Sequence, residues 1–182
     1  MTVDVMIRQE QAKDCEEVYE LVAAAFAQAE HSDHDEQELV VRLRRSAPFV
    51  PELSLLAMVE EKIVGHIMFT RVVIRQEGQV PHETLTLAPL AVLPEYQGKG
   101  VGGRLIEAGH RAAREMGFKS VLLVGHPTYY PRFGYLPAER FGITTKLELP
   151  PDVFMACELV KGGFDGVTGR MVLAPEFNLE QD

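Results

Sequence analysis

Residues 95–105 read EYQGKGVGGRL, so that Gly98, Gly100, Gly102 and Gly103 fall within six positions just ahead of a helical pattern. A glycine held in a helix costs about 0.5–1 kcal/mol relative to alanine, so this segment must do something that side chains would prevent. Bare backbone lets successive N–H groups converge on an anion, and a helix starting there adds the partial positive charge of its N-terminus. The chemistry implied is the capture of a phosphate group. Lys99 and Arg104 either reach outer oxygens of that group or stay solvated on an exposed turn.

Gly98, Gly100 and Gly103 also satisfy the dinucleotide pattern G-x-G-x-x-G. That reading needs an acidic residue at the tip of the next strand and several further crossovers. Here the next strand ends in Gly125-His126, and too little chain remains. The P-loop pattern does not occur. A glycine turn that merely joins two elements stays open as the alternative.

Four other groups of residues could carry chemistry. Tyr129 and Tyr130 offer phenols. His126 closes a strand ahead of Pro127, and an imidazole is a common general base, which makes it a candidate base, or else a histidine that bonds the turn. His31, Asp33, His34 and Asp35 are the densest ligand-like cluster, but without a second ligand pair they read as a polar loop and helix cap, and no metal is expected. Cys15 and Cys157 are too few and too far apart for a disulfide framework or a zinc site, and read as buried thiols.

The elements that must position these residues follow from periodicity. Val3 to Arg8 is strand-like. Val18, Leu21, Val22, Ala25 and Ala29 recur at helical spacing over Lys13 to Gln28, and a second helix begins with Asp33 or Asp35 as cap. Leu53–Val59 and Ile63–Ile74 form a hairpin across the solvated turn Glu60-Glu61-Lys62. Thr84–Leu93 is a strand interrupted by Pro89, which cannot donate to a ladder and belongs at a bulge or where pairing is given up. A helix from about Gly100 to Met116 buries Val101, Leu105, Ala108, Ala112 and Met116 and stops at Gly117. Ser120–Val124 is apolar throughout, as in a parallel strand covered on both sides. Phe133–Thr145 and Phe154–Val160 are expected as antiparallel strands around Pro150-Pro151, with the acidic stretch Glu176–Asp182 as a loose end.

The chain has 182 residues, 46% hydrophobic and 25% charged, which fits one globular domain spanning 1–182. A net charge of -9 argues against a general nucleic-acid binder. The N-terminal residues lack a signal-peptide pattern and no long apolar stretch occurs, so a cytoplasmic protein without membrane association is expected.

Gln97-x-x-Gly100-x-Gly102, after a strand ending Leu90-Ala91-Val92 and ahead of an amphipathic helix, resembles the acetyl-CoA-binding motif of the GCN5-related N-acetyltransferases. Tyr130-x-x-x-Gly134-Tyr135 is similar to their second motif, and LAPLAVLPEYQGKGVGGRL followed by HPTYYPRFGY is most like a bacterial branch of small acetyltransferases. The resemblance implies an α/β fold of the α+β kind. Its sheet would be mostly antiparallel with one splayed parallel pair, flanked by helices.

It further implies that Gln97, Gly98, Lys99, Gly100, Val101, Gly102, Gly103 and Arg104 surround the pyrophosphate of coenzyme A. Leu90, Ala91 and Val92 would pair with the pantetheine arm as an added strand. An N–H near Pro89 would face the thioester carbonyl. Tyr130 holds the family's general-acid position, with Tyr129 as fallback. The base stays open among His126, a water relay, and none at all. The strand that often carries a glutamate has no acid at its centre here, since Glu83 lies at its far end. Acetyl transfer to a small-molecule or peptide amine is the implied activity, with homodimerisation left open. A CoA-binding module without catalysis and a nucleotide-dependent oxidoreductase are the rival readings.

Overall fold

A computed structural model of the chain describes residues 3–179. Among them, in chain order, are β1 (Met6–Gln9), α1 (Cys15–Phe26), α2 (Glu36–Arg44), β2 (Phe49–Val59), β3 (Lys62–Arg75), β4 (His82–Val92), α3 (Val101–Glu115), β5 (Ser120–Val124), β6 (Leu136–Pro137), β7 (Ile143–Thr144), β8 (Phe154–Glu158) and β9 (Gly169–Val172). The sheet runs β1-β2-β3-β4-β5-β8-β6, and β9 joins the far end of β3 and carries β7. Pairing is antiparallel except for β4 with β5 and the two-residue contact of β7 with β9. The mixed, mostly antiparallel sheet expected from the sequence is therefore present.

Three expectations need correction. Phe133–Thr145 is not one strand: Gly134 and Gly142 adopt φ of 91° and 72°, and between them lie only Leu136–Pro137 and a 3-10 turn before β7. Left-handed backbone and a proline interrupt any ladder there. Met116 is exposed, because α3 ends at Glu115 and the chain turns away at Gly117. The acidic end is not loose as far as it is described: Pro175–Phe177 forms a 3-10 turn whose Glu176 carbonyl accepts from Arg42 Nε at 2.9 Å. The rest of that stretch, from Glu180 on, lies outside the described residues.

The sheet is covered on both faces. On one, α3 sets Val101, Leu105, Ile106 and Ala113 against Leu55, Ile67, Phe69, Leu85 and Val121. On the other, Val18, Leu21 and Val22 of α1 with Val40 and Leu43 of α2 cover Leu56, Met58, Met68 and Ala91. Each fully buried large side chain contributes about 1.5–3 kcal/mol. The α3 stripe includes Gly109 because a Cβ there would lie 2.6 Å from Phe69 Cζ, closer than packed atoms allow.

Beneath α1 and α2 lies an enclosed polar chain. His66, fully buried on β3, places Nε2 3.0 Å from Ser54 Oγ and 3.4 Å from Glu10 Oε2. The Ser54 hydroxyl donates to the same carboxylate, Arg44 pairs with its other oxygen, and the Cys15 thiol is 3.9 Å from Glu10 Oε1. Burial holds His66 below its ordinary value, against the opposing pull of Glu10. Burial pushes Glu10 up, but the hydrogen bonds from His66 and Ser54 and the Arg44 charge outweigh it and hold the carboxyl at about 2. Imidazole, hydroxyl and carboxylate thus form one buried hydrogen-bonded chain that ends on the Arg44 guanidinium.

Two consequences are measurable. Gly109→Ala drives a methyl into the Phe69 ring and lowers unfolding stability by about 1–3 kcal/mol, read as a shift in denaturation midpoint at constant m-value. Below pH 6.5 the unfolded chain protonates His66 while the folded chain resists, so stability falls as pH falls; below pH 4.5 Glu10 adds a slope of the same sign. Urea midpoints for the parent protein and His66→Asn should converge in their pH dependence only if His66 titrates freely in the fold, and should diverge as proposed between pH 7.5 and 5.5, with the variant showing the flatter profile.

Candidate active site

The β4–β5 pairing is confined to Leu85↔Val121 and Thr86↔Leu122, after which β5 runs on with β8 and β4 continues with β3 on one edge only. The separation coincides with a bulge. Leu87 pairs with Phe69 and Leu90 with Ile67, three steps on β4 against two on β3, and the extra residue falls at the cis Ala88–Pro89 peptide. Pro89 therefore sits where the sequence places it.

Beyond the bulge the edge of β4 can be assigned residue by residue. Leu93 N–H donates to Val64 O at 2.9 Å, so Leu93 faces β3, and by strand alternation Ala91 bonds His66 while Leu90 and Val92 present N–H and C=O outward. The expectation for Ala91 is corrected accordingly: its main chain is used by β3 and its side chain packs towards α1. One outward carbonyl has a partner within the chain, since Gln97 Nε2 donates to Val92 O at 2.9 Å.

On the α3 face this edge borders a cavity of about 420 Å³ lined by Leu90, Val92, Tyr96, Gln97, Gly98, Gly100, Val101, Gly102, Gly103, Tyr129, Arg132 and Phe133. Gly100 is the N-cap of α3 with φ 83°, and no side chain caps the helix. The first intrahelical bond is Arg104 N–H to Gly100 O at 3.1 Å, which leaves the N–H groups of Val101, Gly102 and Gly103 without helical acceptors at the cavity. A Cβ on Gly102 would be 2.5 Å from the Tyr129 hydroxyl, and one on Gly103 3.2 Å from the Phe133 ring. The glycines thus create the space, and the donor set suits an anion of the phosphate kind.

The cations do not fall where the sequence suggests. Lys99 lies over the Tyr96 ring at 5.5 Å, and Arg104 donates to Val5 O at 3.0 Å; neither lines the cavity. Arg132 does. Its guanidinium stacks over Tyr129 at 4.5 Å and Phe133 at 5.7 Å while Nε donates to Tyr129 O at 3.2 Å. Sequence reasoning missed Arg132 because a single arginine in a 3-10 turn has no periodicity; its place inside Tyr130-x-x-x-Gly134 is the one signal.

Tyr129 lines the cavity, and Tyr130 lies behind it with the rings 5.1 Å apart. Tyr130 packs its Cδ2 3.0 Å from where a Cβ of Gly125 would be, just past β5, and stands 5.7 Å from the Tyr135 ring. Tyr135 fixes this turn to α3 through a 2.8 Å bond with His110 Nε2. Burial pushes both Tyr129 and Tyr130 above the ordinary phenol value, Tyr130 further. His126 Nδ1 accepts from Thr128 N–H at 3.3 Å and lies 2.9 Å from Thr128 Oγ1. This is the turn-bonding arrangement, and His126 lines neither of the two cavities at the β4 edge.

A second cavity, about 300 Å³, opens on the α1 face of the same edge and is lined by Ala25, Phe26, Gln28, Ala29, Leu90, Ala91, Val92, Pro94 and Gln97. Leu90, Val92 and Gln97 border both cavities, so the two meet across the unpaired edge. The cluster near residues 31–35 is spent on local bonds: His34 Nδ1 meets Phe26 O at 3.0 Å and Asp35 pairs with Arg42 at 2.7 Å. Among the described residues no group of three or more His, Cys, Asp or Glu side chains is placed to hold a metal.

Comparison with known proteins decides the family. Residues 6–138 match the family model of an acetyltransferase (GNAT) domain. The chain belongs to the GNAT acetyltransferase family. It is 46% identical over 124 residues to the uncharacterized N-acetyltransferase YjhQ of Escherichia coli, a likeness that covers 68% of this chain and spans 65% of that relative's length. The crystal structure of the GNAT N-acetyltransferase YhbS from Escherichia coli in complex with CoA superposes with a TM-score of 0.86 at 26% identity, over 98% of this chain and 94% of that one. A GNAT acetyltransferase from Brucella melitensis in complex with acetyl-CoA gives 0.77 at 29%, over 96% and 98%. The structural likenesses extend to the mixed, mostly antiparallel sheet as well as the family.

Gly102→Val should fill the space between the α3 N-terminus and Tyr129. Loss of one or two hydrogen bonds to a charged group weakens CoA binding about 10- to 100-fold by titration calorimetry, with an unchanged far-ultraviolet spectrum.

Proposed function

We propose that this GNAT chain moves the acetyl group of acetyl-CoA to a primary amine by direct attack, without an acyl-enzyme. The observation that carries the reading is the continuity of the unpaired β4 edge with the capless, glycine-lined start of α3. A long ligand with a diphosphate at one end and amide groups along its arm satisfies both sets of orphan donors and acceptors at once.

In this reading the N–H groups of Val101, Gly102 and Gly103 hold the diphosphate, with Gly98 and Gly100 keeping the approach clear and Arg132 supplying the cation. Leu90 and Val92 take the arm as an added strand. The Gln97 carboxamide, already donating to Val92 O, occupies the kind of position an amide of the arm would take. Acetyl-CoA supplies the activated acyl group. Tyr130, in the family's general-acid position, is the proton donor to the departing sulfur; it stands behind Tyr129, whose ring lines the cavity 5.1 Å away and is the alternative donor. No carboxylate lines either cavity, so the amine proton leaves through water or the amine arrives neutral.

The missing carboxylate also favours a second reading, a CoA-binding module without turnover. Two measurements separate them. Acetyl-CoA at 100 times its Kd should raise stability by about 2.7 kcal/mol while NAD has no effect. Acetylated product across an amine panel should form with the parent protein and fall about 100-fold or more in Tyr130→Phe, against a small change in Tyr129→Phe. Equal rates for Tyr130→Phe remove it from the mechanism, and acetyl-CoA binding with no product from any amine leaves the module reading.

A further inference from the structure

Resting on the proposed acetyl transfer, we infer that the acceptor is a primary amine borne on an uncharged, largely apolar group, and that the cavity on the α1 face of β4 receives that group.

The cavity's wall is the ground for this. Ala25, Phe26 and Ala29 come from the end of α1 and the turn after it, and Leu90, Ala91, Val92 and Pro94 from β4 and the turn that follows. Its polar side chains are Gln28 and Gln97, beside the outward main-chain groups of Leu90 and Val92, and no ionisable side chain lines it. The carboxylates nearby in sequence are engaged elsewhere or do not line it: Asp35 pairs with Arg42 at 2.7 Å, Glu95 with Lys62 at 3.2 Å, and Glu30 is exposed on the connecting loop. A chain of net charge -9 therefore keeps its negative charge away from this wall.

The position of the cavity assigns its occupant. It meets the glycine-lined cavity along Leu90, Val92 and Gln97, so a molecule within it faces the reacting end of an arm laid on that edge from the side opposite α3. The step balances without further reagents: the amine nitrogen bonds the thioester carbonyl carbon, the carbon–sulfur bond breaks, and the proton lost by nitrogen is matched by the one gained by sulfur. What the wall adds is selection. A second ammonium on the acceptor would enter a cleft whose side chains are all neutral and offer no counter-charge, which is costly, whereas an aryl or alkyl group gains by leaving water against Phe26, Leu90 and Val92.

The test compares kcat/KM for phenethylamine and putrescine by mass-spectrometric detection of the acetylated amine, in the parent protein and in Ala29→Glu. Preference for phenethylamine of about tenfold or more is expected, and Ala29→Glu should move the ratio about tenfold towards putrescine by supplying the missing counter-charge. Acetyl-CoA affinity, measured alongside, should be the same in both, which shows the variant folded. Equal use of the two amines, preference for putrescine, or a ratio unmoved by Ala29→Glu overturns the inference and leaves acetyl transfer standing. Binding of acetyl-CoA without product from either amine or from the wider panel overturns acetyl transfer itself, and this inference with it.

Discussion

A main-chain N–H or C=O taken from water must find a partner, and this fold leaves two sets of them facing one cleft. The first arises because β5 abandons β4 after two paired residues while β4 runs on to Val92. The second arises because α3 starts at a glycine with no capping side chain. Most helix starts and sheet edges are closed by the protein's own groups. Here one outward carbonyl is closed, by Gln97, and the adjoining groups open onto a cavity shaped by residues that lack side chains. The functional reading is a statement about what satisfies them.

The remainder of the architecture holds these two sets in register. Helix α3 is pinned to β2 and β3 by a deep apolar stripe and by the Phe69 ring filling the notch at Gly109. Its first turn is tied to the strand region ahead of β1 through Arg104 and Val5, so the residue that the sequence offers to phosphate fixes the direction of the helix instead. On the other face the Glu10–Ser54–His66 chain with Arg44 joins β2 and β3 to the helices above, directly beside Ala91. The strand that bears the open edge is thus held by its ladder with β3, itself covered on both faces, and past Thr86 its other edge has no strand partner.

Much of this was legible in the residue order. The glycine spacing, Pro89 and the short apolar β5 each encode a local backbone demand, and such demands survive into the fold. Gly100 does cap α3, and Pro89 does mark the bulge. What escaped depends on contacts distant in sequence. Arg132 reaches the cavity because the Tyr129–Tyr135 turn is folded onto α3, and Lys99 is withdrawn to Tyr96. His126, which the sequence leaves between a base and a turn-bonding histidine, has Thr128 on its ring nitrogen. Alternation assigns Ala91 to β3 rather than to the open edge, but only once its register with His66 is known. Short strands such as β6, β7 and β9 carry too few residues for a period to show.

The central claim is that particular amides wait for a ligand, and residue-resolved amide hydrogen exchange with and without CoA addresses it directly. The amides of Leu90, Val92, Val101, Gly102 and Gly103 should exchange readily alone and slow by about tenfold or more with CoA at 100 times its Kd, while Ala91, bonded to His66, stays protected in both. Protection of all five in the absence of CoA, or no change on adding it, would contradict the account.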